Sequence, residues 1–210
     1  MRLPEFALLL ACLASVPAWA GDAAYQRLAL QYDLPEQISP AAFNVCAQHD
    51  CNARVPVSLN EQQWQQVRAR FEPAAQSPLA EREQIAAAVG LMERLVADFA
   101  DSHHDKGGDF NGLTEPGAQL DCIDESVNTT TYLTLFEQAG LLRWHRVQPR
   151  ISRGYFFFGG WPHFTAVVET TDAHREQWVV DSWFRDNGVA PDILEVARWK
   201  DGWSPPGFSM

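Results

Sequence analysis

Cations are scarce in this 210-residue chain. Sixteen Lys and Arg stand against 27 Asp and Glu, a net charge of -11, which repels a phosphate backbone and argues against nucleic acid as a partner. Long apolar runs are missing as well. The longest, Phe6 to Val16, covers about eleven residues, well short of the roughly 20 that cross a bilayer as a helix, so no transmembrane segment is expected. Neither an internal repeat nor a low-complexity tract occurs, which argues against a solenoid or a long disordered tail. Aromatic residues, by contrast, are plentiful. Eight Trp and twelve Phe point to a large aromatic core or to a groove for an extended or apolar ligand.

The first twenty residues read as a cleaved secretory leader: Arg2, the apolar stretch Phe6 to Val16, then the small-x-small ending Ala18-Trp19-Ala20. Localisation outside the cytoplasm, in the periplasm, follows. A lipid-attachment reading of Leu9-Leu10-Ala11-Cys12 is weaker, because Cys12 lies inside the apolar run. The remaining chain, 21–210, is the size of one domain.

Cysteine is sparse, and Cys12 falls in the leader, leaving Cys46, Cys51 and Cys122. In an oxidising compartment the near pair Cys46 and Cys51 closes a small disulfide loop worth roughly 2 kcal/mol. A zinc site from Cys46, His49 and Cys51 has three ligands at an unfamiliar spacing. Cys122 is left as the odd thiol, either a buried apolar residue or a nucleophile.

Prolines at 35, 40 and 56 break residues 21–57 into a short helix followed by an irregular N-terminal strap. Ser58-Leu59-Asn60-Glu61 reads as a capping box opening a helix to about residue 71, which Pro73 stops. Ser77-Pro78 starts a second helix with the stripe Ile85, Val89, Met92, Val96, Phe99, so 58–100 reads as an antiparallel helical pair. Residues 101–120 form a long loop in which His103, His104, Asp105 and Asp109 read as a solvated polar cluster rather than metal ligands. A third helix runs from Cys122 to Gly140. Strand texture follows at 144–147, 155–158, 164–169 and 177–183, with a turn at Asp186-Asn187-Gly188. The expected fold class is α+β, with helices packed on an antiparallel sheet.

Cys122 directly follows Asp121, a good N-cap, so free backbone N–H groups and the helix dipole favour a thiolate there and can hold an oxyanion. His163 begins one strand and Asp181 ends the next. A hairpin joined at 170–176, pairing His163 opposite Asp181 and Val168 opposite Glu176, brings imidazole and carboxylate together. The thiolate attacks a carbonyl, the imidazole holds and delivers a proton, and the carboxylate fixes its tautomer. An imidazolium beside the sulfur predicts a thiol reactive near neutral pH.

These residues carry a resemblance. D-C-I-D-E-S at a helix start, W-P-H-F-T-A-V-V on one strand and V-V-D-S-W-F on the next, with Asp-x-Trp at Asp181 to Trp183, are similar to the transglutaminase-like branch of the papain-like superfamily. Within it they are most similar to bacterial transglutaminase-like cysteine proteinases, periplasmic enzymes that cut protein substrates such as adhesins. The resemblance covers residues 119–185, the catalytic core it implies. It implies Cys122 as nucleophile, His163 as general base and acid, Asp181 as the orienting residue, and a protein or peptide substrate in the cell envelope. Hydrolysis is the expected outcome, with transfer to an amine as the variant. The proteinases usually carry D-C-E-D and bind calcium through acidic residues around the Cys. Ile123 interrupts that pattern, leaving Asp121, Asp124 and Glu125 as the calcium candidates. No other cofactor is implied. Gln119 is the nearby candidate for a second oxyanion donor, and Trp161, Trp183 and Tyr155 are candidate groove residues. A non-catalytic module gripping an extended chain in that groove is the rival reading.

Overall fold

A computed structural model describes residues 20–108, 119–154 and 162–208. In chain order the elements are α1 (Ala20–Tyr32), β1 (Phe43–Ala47), β2 (Ala53–Val57), α2 (Glu61–Arg68) with a 3-10 turn (Ala69–Phe71), and α3 (Pro78–Ala100). Then come α4 (Cys122–Gln138), β3 (His145–Arg153), β4 (His163–Thr170), β5 (Gln177–Asp181), β6 (Asp192–Glu195) and the short α5 (Val196–Lys200). Strands β3 to β6 form an antiparallel meander in sequence order, and β1 with β2 forms a separate hairpin. The arrangement is α+β, as expected. Residues 1–19, Cys12 among them, and Asp109, Tyr155 and Trp161 lie outside the described residues. No helix among the described residues is long and apolar enough to cross a membrane.

The core lies where α2, α3 and α4 meet one face of the meander. Trp64, Phe71, Ile85, Met92, Leu133 and Phe136 pack there with Val147, Ala166, Val168 and Val180. Helix α4 is buried along nearly its whole length although five of its residues are threonine or serine. Three of those threonines solve the polar problem locally, Thr130, Thr131 and Thr134 each donating a hydroxyl to the carbonyl four residues earlier. Glu81, in the first turn of α3, ties the helical pair to the sheet. Its carboxylate accepts from the backbone N–H of Arg143 and Trp144 and from His145 Nδ1 at 2.9 Å.

Two elements differ from the sequence reading. The strap at 21–57 is not irregular after its helix: Phe43 to Ala47 pairs with Ala53 to Val57. The apolar Phe43, Val45 and Val57 feed the core, and the turn between the strands is made by four consecutive left-handed residues, Gln48, His49, Asp50 and Cys51 (φ 64, 58, 52 and 54°). None is glycine, so no turn signature marks the hairpin, and each position costs roughly 1–2 kcal/mol relative to the right-handed form. The helix expected from residue 59 starts two residues late, because Asn60 rather than Ser58 is the N-cap, in a reciprocal capping box with Gln63.

Candidate active site

The acidic start of α4 holds the left-handed turn in place. Asp124 accepts from the backbone N–H of His49 at 2.8 Å and of Cys51 at 2.9 Å, while Asp121 accepts from that of Asp50 at 2.8 Å. Cys46 and Cys51 lie at disulfide distance across the turn, Cα to Cα 4.6 Å. These hydrogen bonds to otherwise unpaired backbone N–H groups offset part of the backbone cost. Asp121 is also the N-cap of α4, accepting from Ile123 and Asp124 N–H at 3.0 and 2.8 Å. These bonds fix where the helix begins and therefore where Cys122 sits.

Histidine and aspartate meet as expected, by a different register. Ala166 lies opposite Val180, two residues away from the pairing that sets His163 directly across from Asp181. A shift of two keeps both side chains on one face of the sheet, so the pair forms diagonally. His163 Nε2 lies 2.8 Å from Asp181 Oδ2; the carboxylate only accepts, so Nε2 carries a proton, and in the neutral ring Nδ1 then presents its lone pair. That Nδ1 is buried and has no partner. Trp199 completes the orientation, its indole N–H donating to the same Asp181 Oδ2 at 2.7 Å. Nothing in the sequence singled out Trp199, because it belongs to a five-residue helix with no motif.

Cys122 shares an aromatic wall with His163. It clusters with Trp183 and Phe184, whose rings lie 4.8 and 5.1 Å from the imidazole. The thiol donates to the carbonyl of Pro162, the residue before His163, at 3.7 Å. Only 6% of Cys122, 3% of His163 and 1% of Asp181 is exposed. Burial pushes the thiol up to about 12, reinforced by the charges of Asp121 and Asp181 and opposed by the Phe164 backbone N–H and Arg150. The resting sulfur is therefore a protonated thiol, not the thiolate that the helix start alone predicts: desolvation outweighs the dipole. Cys122 is the first residue of α4, where backbone N–H groups lack helical acceptors and can serve a developing oxyanion.

The other candidates are employed elsewhere. The Gln119 carboxamide accepts from Lys106 N–H at 3.0 Å and donates to the His104 carbonyl at 3.1 Å, which fastens it to the preceding loop and away from the triad's hydrogen bonds. Trp183 is part of the wall just described. All four carboxylate oxygens of Asp121 and Asp124 accept backbone N–H groups, and Glu125 turns to Ser182, whose hydroxyl donates to it at 2.7 Å. These three side chains are engaged by donors of the protein itself, and among the described residues no group of three or more acidic, His or Cys residues is arranged to hold a metal ion. Burial raises Asp124 to about 8 and Glu125 to about 7.

Residues 106–108 pack against the segment that carries Trp183 and Phe184. A Cβ on Gly107 would come within 2.4 Å of the Phe184 carbonyl oxygen; Gly108 N–H donates to the Trp183 carbonyl at 2.7 Å and Lys106 pairs with Asp186 at 2.7 Å. Only a residue without a side chain allows so close an approach. Nearby, the buried Glu93 and Glu125 line a cavity of about 10 Å³, roughly the space of one water. No protein family, curated protein or solved structure matches this chain.

Proposed function

We propose that this protein is a thiol hydrolase, a cysteine peptidase or amidase of papain-like and transglutaminase-like fold, exported to the cell envelope and acting on a protein or peptide substrate. The observation that carries the proposal is the state of His163: Nε2–H is committed to Asp181 while Nδ1 is buried without a partner, beside a thiol bonded to the adjoining Pro162. A neutral imidazole in that tautomer is a base lacking only its proton donor.

In the reaction the thiol turns from the Pro162 carbonyl to Nδ1 and transfers its proton as the sulfur attacks the substrate carbonyl. The Cys122 N–H takes the oxyanion, the imidazolium is stabilised by Asp181, and its proton passes to the leaving amine as the carbon–nitrogen bond breaks. Water, deprotonated by the same Nδ1, releases the acyl group and regenerates the thiol. An amine in place of water gives transfer instead. Proton removal occurs with attack, because the resting thiol lies at about 12.

The same buried, protonated thiol favours a second reading, a non-catalytic module in which the triad is vestigial. Acylation by p-nitrophenyl acetate separates the two. The enzyme reading expects a burst of nitrophenol and an acetyl adduct on Cys122, strongly slowed by His163→Ala and absent in Cys122→Ala. Equal rates in the parent and His163→Ala would refute the hydrolase reading and leave the binding module.

A further inference from the structure

A groove of about 270 Å³ runs between α1 and β3, lined by Arg27, Leu28, Gln31, Arg150, Ile151 and Phe164, among others. Its size suits a side chain or chain end rather than a folded partner. Phe164 joins it to the active site. That residue's backbone N–H bonds to Cys122, and its ring packs against the cluster that holds Cys122. Arg150 is tied to the same helix as Cys122. Its guanidinium donates to Ser126 Oγ, one turn along α4 from Cys122, at 3.1 Å, and lies 4.6 Å from the Phe164 ring and 4.9 Å from the Tyr32 ring, with a further bond to the Tyr32 hydroxyl.

The charge of this groove is the opposite of the molecule's. In a chain of net charge -11, neither Arg27 nor Arg150 makes an ion pair with a carboxylate among the described residues. Arg150 is held by neutral hydroxyls and by two aromatic faces, which fix its direction without neutralising it. A planar guanidinium so placed matches a carboxylate. We propose that this groove is a substrate subsite selecting a carboxylate, borne by an acidic side chain or by a free C-terminus, next to the bond that Cys122 attacks. The inference deepens the hydrolase reading and rests on it for the word substrate, but the binding itself does not need turnover.

The test therefore uses the full chain carrying Cys122→Ala and measures peptide affinity by calorimetry at low salt. The probes are capped penta-alanine peptides with a central Glu, Gln or Lys, and the all-Ala peptide with a free C-terminal carboxylate. The expectation is that the Glu peptide, the free-carboxylate peptide or both bind about tenfold more tightly than the Gln peptide, a carboxylate-guanidinium contact in a half-enclosed site. Which of the two binds tells an internal acidic residue from a chain end. The preference should vanish in Arg150→Gln, survive in part in Arg150→Lys, and weaken in Arg27→Gln. Arg27 is exposed, so its replacement remains informative even if Arg150→Gln unfolds, which melting of each variant reports. Failure of both carboxylate peptides to bind more tightly than the Gln peptide, including no binding of any of them, overturns the inference, as does a preference that both Gln variants retain. Hydrolysis by the parent without a carboxylate preference would remove this subsite alone. A carboxylate preference in a protein whose Cys122 never acylates would remove the hydrolase reading alone.

Discussion

Asp181 can be replaced in two ways that separate its charge from its hydrogen bonds. Two donors, His163 Nε2–H at 2.8 Å and Trp199 Nε1–H at 2.7 Å, converge on a single oxygen, Oδ2. In Asp181→Ala both are left without an acceptor in a site that is almost closed to water. Each orphaned buried donor costs about 1–3 kcal/mol, so the variant should lose about 2–6 kcal/mol, a large part of a typical domain stability of about 5–15 kcal/mol. Asp181→Asn is different. With its carbonyl oxygen at the Oδ2 position it keeps both bonds and the same imidazole tautomer, trading charge-assisted bonds for neutral ones at about 1 kcal/mol. What it cannot do is stabilise imidazolium, so acylation of Cys122 should fall by about 10²- to 10⁴-fold. Urea melts of the parent and both variants, with p-nitrophenyl acetate bursts on the folded ones, give both numbers. An Asp181→Ala protein as stable as the parent, or an Asp181→Asn protein as unstable as Asp181→Ala, would refute the reasoning that both donors depend on that oxygen.

Three further outcomes are expected. Trp199→Phe keeps most of the ring but removes one donor to Asp181, so the protein should lose about 1.5–3 kcal/mol and acylate more slowly; unchanged stability and rate would show that the indole only fills space. Peptide mapping after alkylation without reduction should find Cys46 linked to Cys51 and Cys122 modified once the chain is unfolded, and Cys122 recovered in a disulfide would contradict the geometry. Burial raises Asp105 and Asp124 to about 8 and Glu125 to about 7, whereas unfolded carboxyls titrate near 4, so the folded chain holds extra protons between those values. Their contribution is complete below about pH 4 and is lost as pH rises through about 7 to 8, so Tm should fall between about pH 5.5 and about 8.5 and fall less in Glu125→Gln; a Tm rising over that interval would show that these carboxyls are ionised in the fold.

Much of this was legible because it is local. Asp121 before Cys122 and Ser77-Pro78 before α3 are caps readable from neighbouring residues, and both start their helices where expected. The His163–Asp181 contact was legible from two strands and the connection between them, although the register was two residues off because pairing continues into a tighter turn, where Thr170 N–H donates to the Glu176 carbonyl at 2.9 Å. What was hidden depends on distant partners. The 48–51 turn is stabilised by carboxylates more than 70 positions later in the chain, and no local preference for left-handed non-glycine residues exists to be read. Trp199 and Arg150 act through contacts made only once α5 and β3 are in place. The protonation of Cys122 follows from burial, which helix-start reasoning does not include.

The three residues of the proposed triad do not share one fate. His163 and Asp181 stand 18 positions apart on consecutive strands of the meander, so the hairpin that pairs them carries the base and its orienter as one cooperative piece. The sulfur arrives on a separate body, α4, held over the sheet by side-chain packing and by the clasp between its first-turn aspartates and the 48–51 turn. A partial opening that lifts the first turns of α4 withdraws the nucleophile while the imidazole keeps its carboxylate. Inactivation on mild heating or on reduction of the Cys46–Cys51 bond should then precede unfolding of the sheet. Amide exchange at the start of α4 would run ahead of exchange in β4 and β5 and track the loss of Cys122 acylation.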